Sequence, residues 1–372
     1  MKIKYVPFLT ILGLIFADFA AADWEYSAEG EGKFLYGYAD VASKYKSYNK
    51  NNRAVSDMWL EFSARNEFSD DYEAAFFADF MGGTDRYLKN YNQGSWGEEI
   101  YAKLQTPYGQ FSFGQMNNIA YLQGVSAPEF GPLGVNNSMV VDFINNPNWK
   151  RRKKITAFKT LNSTYINTDG DAFKISYLTP EYYNTMVGIS YVPYSYSRAG
   201  LVNKHSAYHN KGGIILSADN HLDFDFAEIK SSLGYAEFIE NDKEYSAGLS
   251  IYRKGFTLGG SYRRTNANGK KLARARNYDL PEFFDAYRNA EAYNVGLGYE
   301  IGPFKAAVTY FTSKAKHTDF EDRIFQLSGE YQIEKHIKIY SAVAHVDFAG
   351  KKDEKEQNNK GYAFMAGVGI EF

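Results

Sequence analysis

The closing stretch Gly361–Phe372 reads GYAFMAGVGIEF, and its alternation decides the fold. Tyr362, Phe364, Ala366, Val368, Ile370 and Phe372 share one side of a period-two pattern, with mostly small residues opposite. Termini of soluble domains are usually frayed and polar, so a bare apolar strand ending on an aromatic residue is unusual. A strand with an outward apolar face suits a barrel whose outer solvent is lipid. On this reading Phe372 is the outward aromatic of the strand that closes a transmembrane β-barrel.

The N-terminus carries a second signal. Lys2 and Lys4 precede an apolar run, Val6–Phe16, and Ala20-Ala21-Ala22 forms a small-residue cleavage site. The run is too short for a spanning helix, which needs about 20 residues. The sequence therefore predicts an exported chain, with residues 1–22 removed and residues 23–372, starting at Asp23, forming the barrel.

Composition agrees. The 372 residues include 32 Tyr, 28 Phe and 32 Gly but only 9 Pro, and the net charge is −2. Aromatic girdles around a polar interior use such residues, whereas a nucleic-acid surface would be clearly basic. There is no cysteine, which removes disulfides and thiolate metal sites.

Tight-turn residues separate paired strand patterns at Ser69-Asp70-Asp71, Pro107-Tyr108-Gly109, Arg253-Lys254-Gly255, Ile301-Gly302-Pro303 and Ile333–His336. The alternate connections are long and polar: 43–56, 82–94, 116–170, 194–211, 265–290, 314–321 and 349–360. Two fainter hairpins, 172–192 and 214–238, bring the expected count to about 16 antiparallel strands. Charges then sort the faces. Leu60, Phe62 and Ala64 point to lipid, against Trp59, Glu61, Ser63 and Arg65 in the lumen. Gln326, Ser328 and Glu330 face inward near the C-terminus, because a charge in mid-bilayer costs roughly 2–4 kcal/mol. In the first strand Asp40 is assigned to the lumen, which places Tyr36 and Tyr38 inside and Leu35, Gly37, Ala39 and Val41 outside. A barrel of this size encloses an aqueous channel.

The connection Met116–Gly170 is too long to be passive. It contains Pro128-Glu129-Phe130-Gly131 and follows Phe113-Gly114 at the end of a strand. With Leu35-Tyr36-Gly37 and the terminal Phe372, these residues make the chain resemble the general bacterial porins of Gram-negative outer membranes. The resemblance implies a homotrimer, with early and late strands near the subunit contact. It also implies a third outer loop folded into the barrel as a constriction, and an insertion machinery that reads the terminal aromatic residue. Carried over by position, Glu129 is the acidic eyelet residue, Asp142 a second candidate, and Pro128, Phe130 and Gly131 shape the bend. The chain departs from the family where basic wall residues are expected. It has Tyr38, Trp59, Glu98-Glu99 and Gln115 there, and Pro132 replaces a glycine. Glu99, Arg65 and Lys103 complete the candidate wall with Tyr36, Trp59 and Glu61.

The cluster Lys150-Arg151-Arg152-Lys153-Lys154 would favour anions if folded inward. If folded outward it would meet lipopolysaccharide phosphates or water. Other lumen charges are mixed, with Glu61, Glu73, Asp79, Glu300 and Glu330 against Lys174, Arg263, Lys305 and Lys338, and lean toward cations. No nucleophile elbow, phosphate loop or HExxH occurs. His205 and His209 read as loop residues, and His336 and His345 near Ser341 mark no nucleophile. The expected function is passive diffusion of ions and small hydrophilic solutes through the outer membrane, without cofactor, metal, nucleic acid or bond chemistry. Two alternatives stand beside it: a substrate-specific channel with Trp59, Tyr36 and Tyr38 as a stacking slide, and an adhesin-like surface barrel.

Overall fold

The computed structural model describes residues 24–41, 52–83, 97–131, 140–149, 151–152, 155–156, 160–196, 209–238, 242–266, 289–316, 318–350 and 358–372. The sixteen barrel strands fall in three groups. β1 (Glu25–Val41), β2 (Asn52–Ser69), β3 (Tyr72–Gly83), β4 (Gly97–Thr106) and β5 (Gly109–Gln115) precede the long connection. β6 (Phe173–Leu178), β7 (Thr185–Tyr196), β8 (His209–Phe224), β9 (Ala227–Phe238), β10 (Asp242–Arg253) and β11 (Phe256–Asn266) follow it. β12 (Ala290–Ile301), β13 (Phe304–Ala315), β14 (Glu321–Glu334), β15 (Ile337–Ala349) and β16 (Asn359–Glu371) complete the ring.

Every strand pairs antiparallel with its neighbours, and β16 closes on β1 from Glu31↔Glu371 to Val41↔Gly361. Closure leaves no sheet edge, so strand backbones are satisfied without water. The tight turns all lie at one rim. At Lys254-Gly255 both φ angles are positive, 47° and 86°, which matches the twist of a two-residue hairpin.

On the outer face Val295, Leu297, Leu258 and Leu327 form an exposed apolar band. Aromatic contacts border it: Phe256–Tyr299 with ring centroids 4.4 Å apart toward the tight-turn rim, and Tyr262–Tyr293 at 4.7 Å toward the other. These are the interfacial belts the composition predicted.

The register corrects the assignment of β1. Tyr36 pairs with Ala366 and Tyr38 with Phe364, and directly opposed residues share a face. Tyr36 and Tyr38 therefore stand on the lipid side with Phe364, while Leu35, Gly37, Ala39 and Val41 point inward. Asp40 misled the reading. It sits one residue from the upper end of β1, opposite Tyr362, where an outward carboxylate can reach the headgroup layer. The inward side of β1 from Leu35 to Val41 is apolar because it packs against the long loop rather than against water.

Phe372 adds the last rung. Its N–H and C=O exchange 3.0 Å bonds with Gly30. A Cβ on Gly30 would lie 2.7 Å from the Phe372 ring and 2.8 Å from the Trp59 carbonyl oxygen, whereas one on Gly32 would meet nothing closer than 3.9 Å. Gly30→Val is expected to destabilise the barrel by about 1–3 kcal/mol through overpacking. Gly32→Val, on the same face, should be near neutral. Urea unfolding in lipid vesicles, followed by tryptophan fluorescence, measures the difference.

Candidate functional site

The long connection is built onto the inner wall. At its base Asn118 caps the short helix Ile119–Leu122. Its side chain accepts the Tyr121 N–H at 2.9 Å and donates to the Ile166 carbonyl at 2.8 Å and to Asp169 at 2.6 Å. The chain then crosses strand after strand. The Ile119 N–H reaches Ser190 of β7 at 3.0 Å, and Gln123 bonds Asp219 and Ser217 of β8. The Val125 N–H meets Ser232 of β9 at 2.9 Å, the Ala127 N–H meets Asn294 of β12 at 3.2 Å, and the Gly131 N–H meets Glu330 of β14 at 3.3 Å.

Small wall residues allow this approach. A Cβ on Gly248 of β10 would lie 1.9 Å from the Val125 carbonyl oxygen, and one on Gly259 of β11 would lie 2.6 Å from that of Ser126. Pro128 and Phe130 both come within 2.9 Å of the Cβ position of Gly298. The loop backbone therefore lies where side chains would otherwise stand. Further along, Val140, Phe143, Ile144 and Leu161 join inward residues of β1 and β12–β16, among them Leu35, Phe311, Ile324 and Val346, in one buried apolar cluster.

Buried polar groups fix the return leg. Asp322 of β14 accepts from Asn146 at 2.9 Å, from Asn148 at 2.7 Å and from Thr160. Arg263 of β11, 1% exposed, bonds Glu244 of β10 at 2.7 Å, Asn167 at 2.6 Å and Thr168 at 2.8 Å. Lys174 of β6, with no exposed side-chain surface, pairs with Asp169 at 2.8 Å. The sequence reading counted Arg263 and Lys174 as lumen charges. Both are instead consumed as loop anchors.

The structure brings several of the predicted site residues together on one wall. Glu61, Arg65, Glu99 and Lys103 face the lumen from β2 and β4, with Trp59 above Glu61. Between them Phe77 of β3 stacks on Tyr101 of β4 at 4.8 Å and 14°. Lys103 Nζ lies 4.6 Å from the Phe77 centroid and Arg65 5.5 Å from it. Strand alternation alone could have flagged Phe77 and Tyr101 as wall residues alongside Glu61 and Asp79, which the sequence already assigned to the lumen. Tyr36 and Tyr38 do not belong to the site, being on the lipid side.

The motif Pro128–Gly131 sits on the far side of the ring, against β12–β14, with Glu129 half-buried and Lys305 5.6 Å from the Phe130 centroid. Asp142 falls in the short helix Val140–Phe143, and its side chain is outside the described set. In the basic cluster Lys150, Lys153 and Lys154 lie outside the described residues. Arg151 and Arg152 pair through their backbone with Thr156 and Ile155, and their side chains are likewise not described.

Fold and site together define a transmembrane barrel of sixteen strands with an inward loop and a polar, charged wall facing it. A family profile for Gram-negative porins matches residues 9–351, and the chain belongs to that family. Among solved structures it resembles Salmonella typhi OmpF in complex with daunomycin, with 12% identity and a TM-score of 0.61 over 93% of this chain and 97% of that one. A refined porin structure gives 13% identity and 0.55 over 94% and 100%. A mutant of the Rh. blastica porin gives 11% and 0.53 over the same shares. These likenesses concern the fold. A curated relative, an uncharacterized protein of Rickettsia bellii (strain RML369-C), is 26% identical over 138 residues. That match spans 36% of this chain and 29% of the relative, less than a third of its length.

The anchors are testable. Arg263→Met leaves Glu244 buried without its cation, which should cost about 3–5 kcal/mol, while the double change Arg263→Met/Glu244→Met should recover most of that loss. Urea unfolding in vesicles reads the stability, and protease cleavage within the loop reads its detachment.

Proposed function

We propose that this chain is a passive diffusion channel of the outer membrane, exported by cleavage after Ala22 and working without cofactor or bond chemistry. The carrying observation is the division of the lumen. The loop fills the side formed by β7–β16 and the upper parts of β1 and β2, and the lower part of β2 with β3 and β4 presents charged and aromatic side chains to the remaining passage. Such a passage selects by width and by lining charge.

The charge balance favours cations. Lys33 is held by Glu31 at 2.6 Å, Lys230 by Glu228 at 2.7 Å and Lys305 by Glu300 at 3.1 Å, and Lys338 pairs with Glu371. With Arg263 and Lys174 buried, most described inward cations are already matched by carboxylates. Carboxylates therefore stand on both sides of the passage, Glu129 on the loop and Glu61 on the wall, with Asp79 and Glu99 buried in the wall beside Glu61. The basic wall residues that the family resemblance implied are replaced in this chain, and Arg65 and Lys103 are the basic side chains of the described wall on β2 and β4. The stacking slide loses its support as well, since two of its three rings face lipid.

A homotrimer fits the outer surface of the early strands. Ala64, Ala78 and Ala102 lie among Phe62, Phe76, Ile100 and Phe113, leaving an apolar depression of about 730 Å³ that a neighbouring subunit can fill. Phe372 serves as the label for the assembly machinery, and outward parts of the long loops contact lipopolysaccharide.

Planar-bilayer recording tests the reading. Purified protein should insert with ohmic current steps in groups of three, and a salt gradient should give a reversal potential of cation-preferring sign. Folded trimers that never conduct would reject the channel. Glu129→Gln should shift the reversal potential toward anions by several millivolts, and an unchanged value would remove Glu129 from the narrow passage.

A further inference from the structure

The outer face of the barrel carries an ordered set of charges near the loop-side rim. Arg264 of β11 stands opposite Glu291 of β12, Glu291 opposite Lys314 of β13, and Lys314 opposite Glu321 of β14. On the next strands Arg323 of β14 opposes Asp347 of β15, and Asp347 opposes Lys360 of β16. Every one of these opposed pairs joins an acid to a base. Two residues further into the bilayer the same face presents Tyr293, Phe325 and Tyr362, all exposed on the lipid side. Two residues span about 7 Å along a strand, so the charges stand in the headgroup layer just outside the aromatic belt.

Most rungs of this ladder are satisfied within the chain. Arg323 bonds the two oxygens of Glu321 at 3.1 Å and 2.6 Å, Lys360 lies 3.5 Å from Asp347, and Glu291 meets Lys316 at 3.9 Å. Arg264 and Lys314 differ. Both are exposed, and neither makes an ion pair among the described residues, although each stands across from Glu291. Two cations are therefore left facing the headgroup layer with an acid between them.

We infer that Arg264 and Lys314 form a two-point clamp for a lipid whose headgroup is a saccharide bearing two phosphates. The inference rests on the outer-membrane reading, and it places the lipid contact on strands rather than on loops. β11 and β13 are two strand spacings apart, about 10 Å, a separation that phosphates at opposite ends of a disaccharide can span. Guanidinium and ammonium groups hold phosphate through charge-assisted hydrogen bonds. Glu291 repels phosphate from the middle position and accepts hydrogen bonds from sugar hydroxyls. The order base, acid, base thus complements phosphate, hydroxyl, phosphate. Toward the bilayer centre, the Tyr262–Tyr293 contact and then Leu258, Val295 and Leu297 offer the acyl chains a continuous apolar surface. A glycerolipid with one phosphate engages only one of the two cations.

Native mass spectrometry of the folded protein, released from detergent, counts the lipids it retains. Diphosphoryl lipid A is the probe, with monophosphoryl lipid A and phosphatidylglycerol as comparisons. Wild type should hold diphosphoryl lipid A about tenfold more tightly than either, the effect of one charge-assisted contact. Arg264→Gln and Lys314→Gln should each bring its affinity down to the monophosphoryl level, with folding checked by circular dichroism. Arg323→Gln should leave affinity within about twofold, because Glu321 already occupies that guanidinium. Equal retention of the three lipids by wild type would overturn the clamp, and so would unchanged retention in Arg264→Gln and Lys314→Gln. A loss in Arg323→Gln as large as in Arg264→Gln would overturn it too, by showing attraction to the whole belt. Bilayer recordings on the same preparations keep the two readings apart. Conduction without selective retention rejects the clamp alone, whereas selective retention by a barrel that never conducts supports the clamp and rejects the channel.

Discussion

Everything inside this barrel depends on how closely the loop backbone approaches the wall. Where Val125 passes Gly248, its carbonyl oxygen lies 1.9 Å from the position a Cβ would occupy. Gly188, Gly234, Gly259, Gly296 and Gly298 give similar clearance on neighbouring strands. Wall glycines sacrifice strand propensity, which is tolerable because barrel closure already fixes the register. In return, loop amides reach wall hydroxyls and carboxamides at hydrogen-bond distance, and a long connection becomes a rigid inner layer.

That layer explains why two solvents did not account for all the faces. A wall residue of this barrel meets lipid, water or the loop, and the loop behaves as a third, apolar medium. β2 was legible because Leu60, Phe62 and Ala64 meet lipid while Glu61, Ser63 and Arg65 are polar or charged. β1 was not, since Leu35, Ala39 and Val41 are as apolar as Tyr36 and Tyr38. With both faces apolar, alternation loses its sign, and one terminal Asp40 tipped the reading the wrong way. The pairing Tyr36↔Ala366 restores it. The terminal pattern of β16 survived because Gly361, Gly367 and Gly369 stand opposite its aromatics, and that contrast persists whichever medium lies inside.

The site was legible in part for a related reason. Strand parity located Glu61, Arg65, Glu99 and Lys103 on the lumen side, because a charge has only one affordable face in a bilayer. Parity cannot reveal which charges on different strands become neighbours. Arg263 and Lys174 look in sequence like any other inward cation, yet their partners Glu244 and Asp169 come from the next strand and from the loop. Burial of these pairs turns apparent pore charges into structural ones. Loss of one partner would then strand the other at low dielectric, so these residues answer to the loop's position rather than to solutes.

Removing those cations from the lumen changes the character of the passage. What remains on β1–β4 is layered along the pore axis: carboxylates at Glu61, Asp79 and Glu99, the stacked Phe77 and Tyr101 below them, then Arg65 and Lys103. Glu61 and Arg65 are four residues apart, about 13 Å along the strand. Both cations lie over the Phe77 ring, Arg65 at 5.5 Å and Lys103 at 4.6 Å from its centroid. A transverse field would orient a dipolar solute across the pore. On this wall acid, aromatic and base instead follow one another along the pore axis, so a permeating cation meets them at successive depths, with Glu25 directly opposite Arg65 in the lowest row.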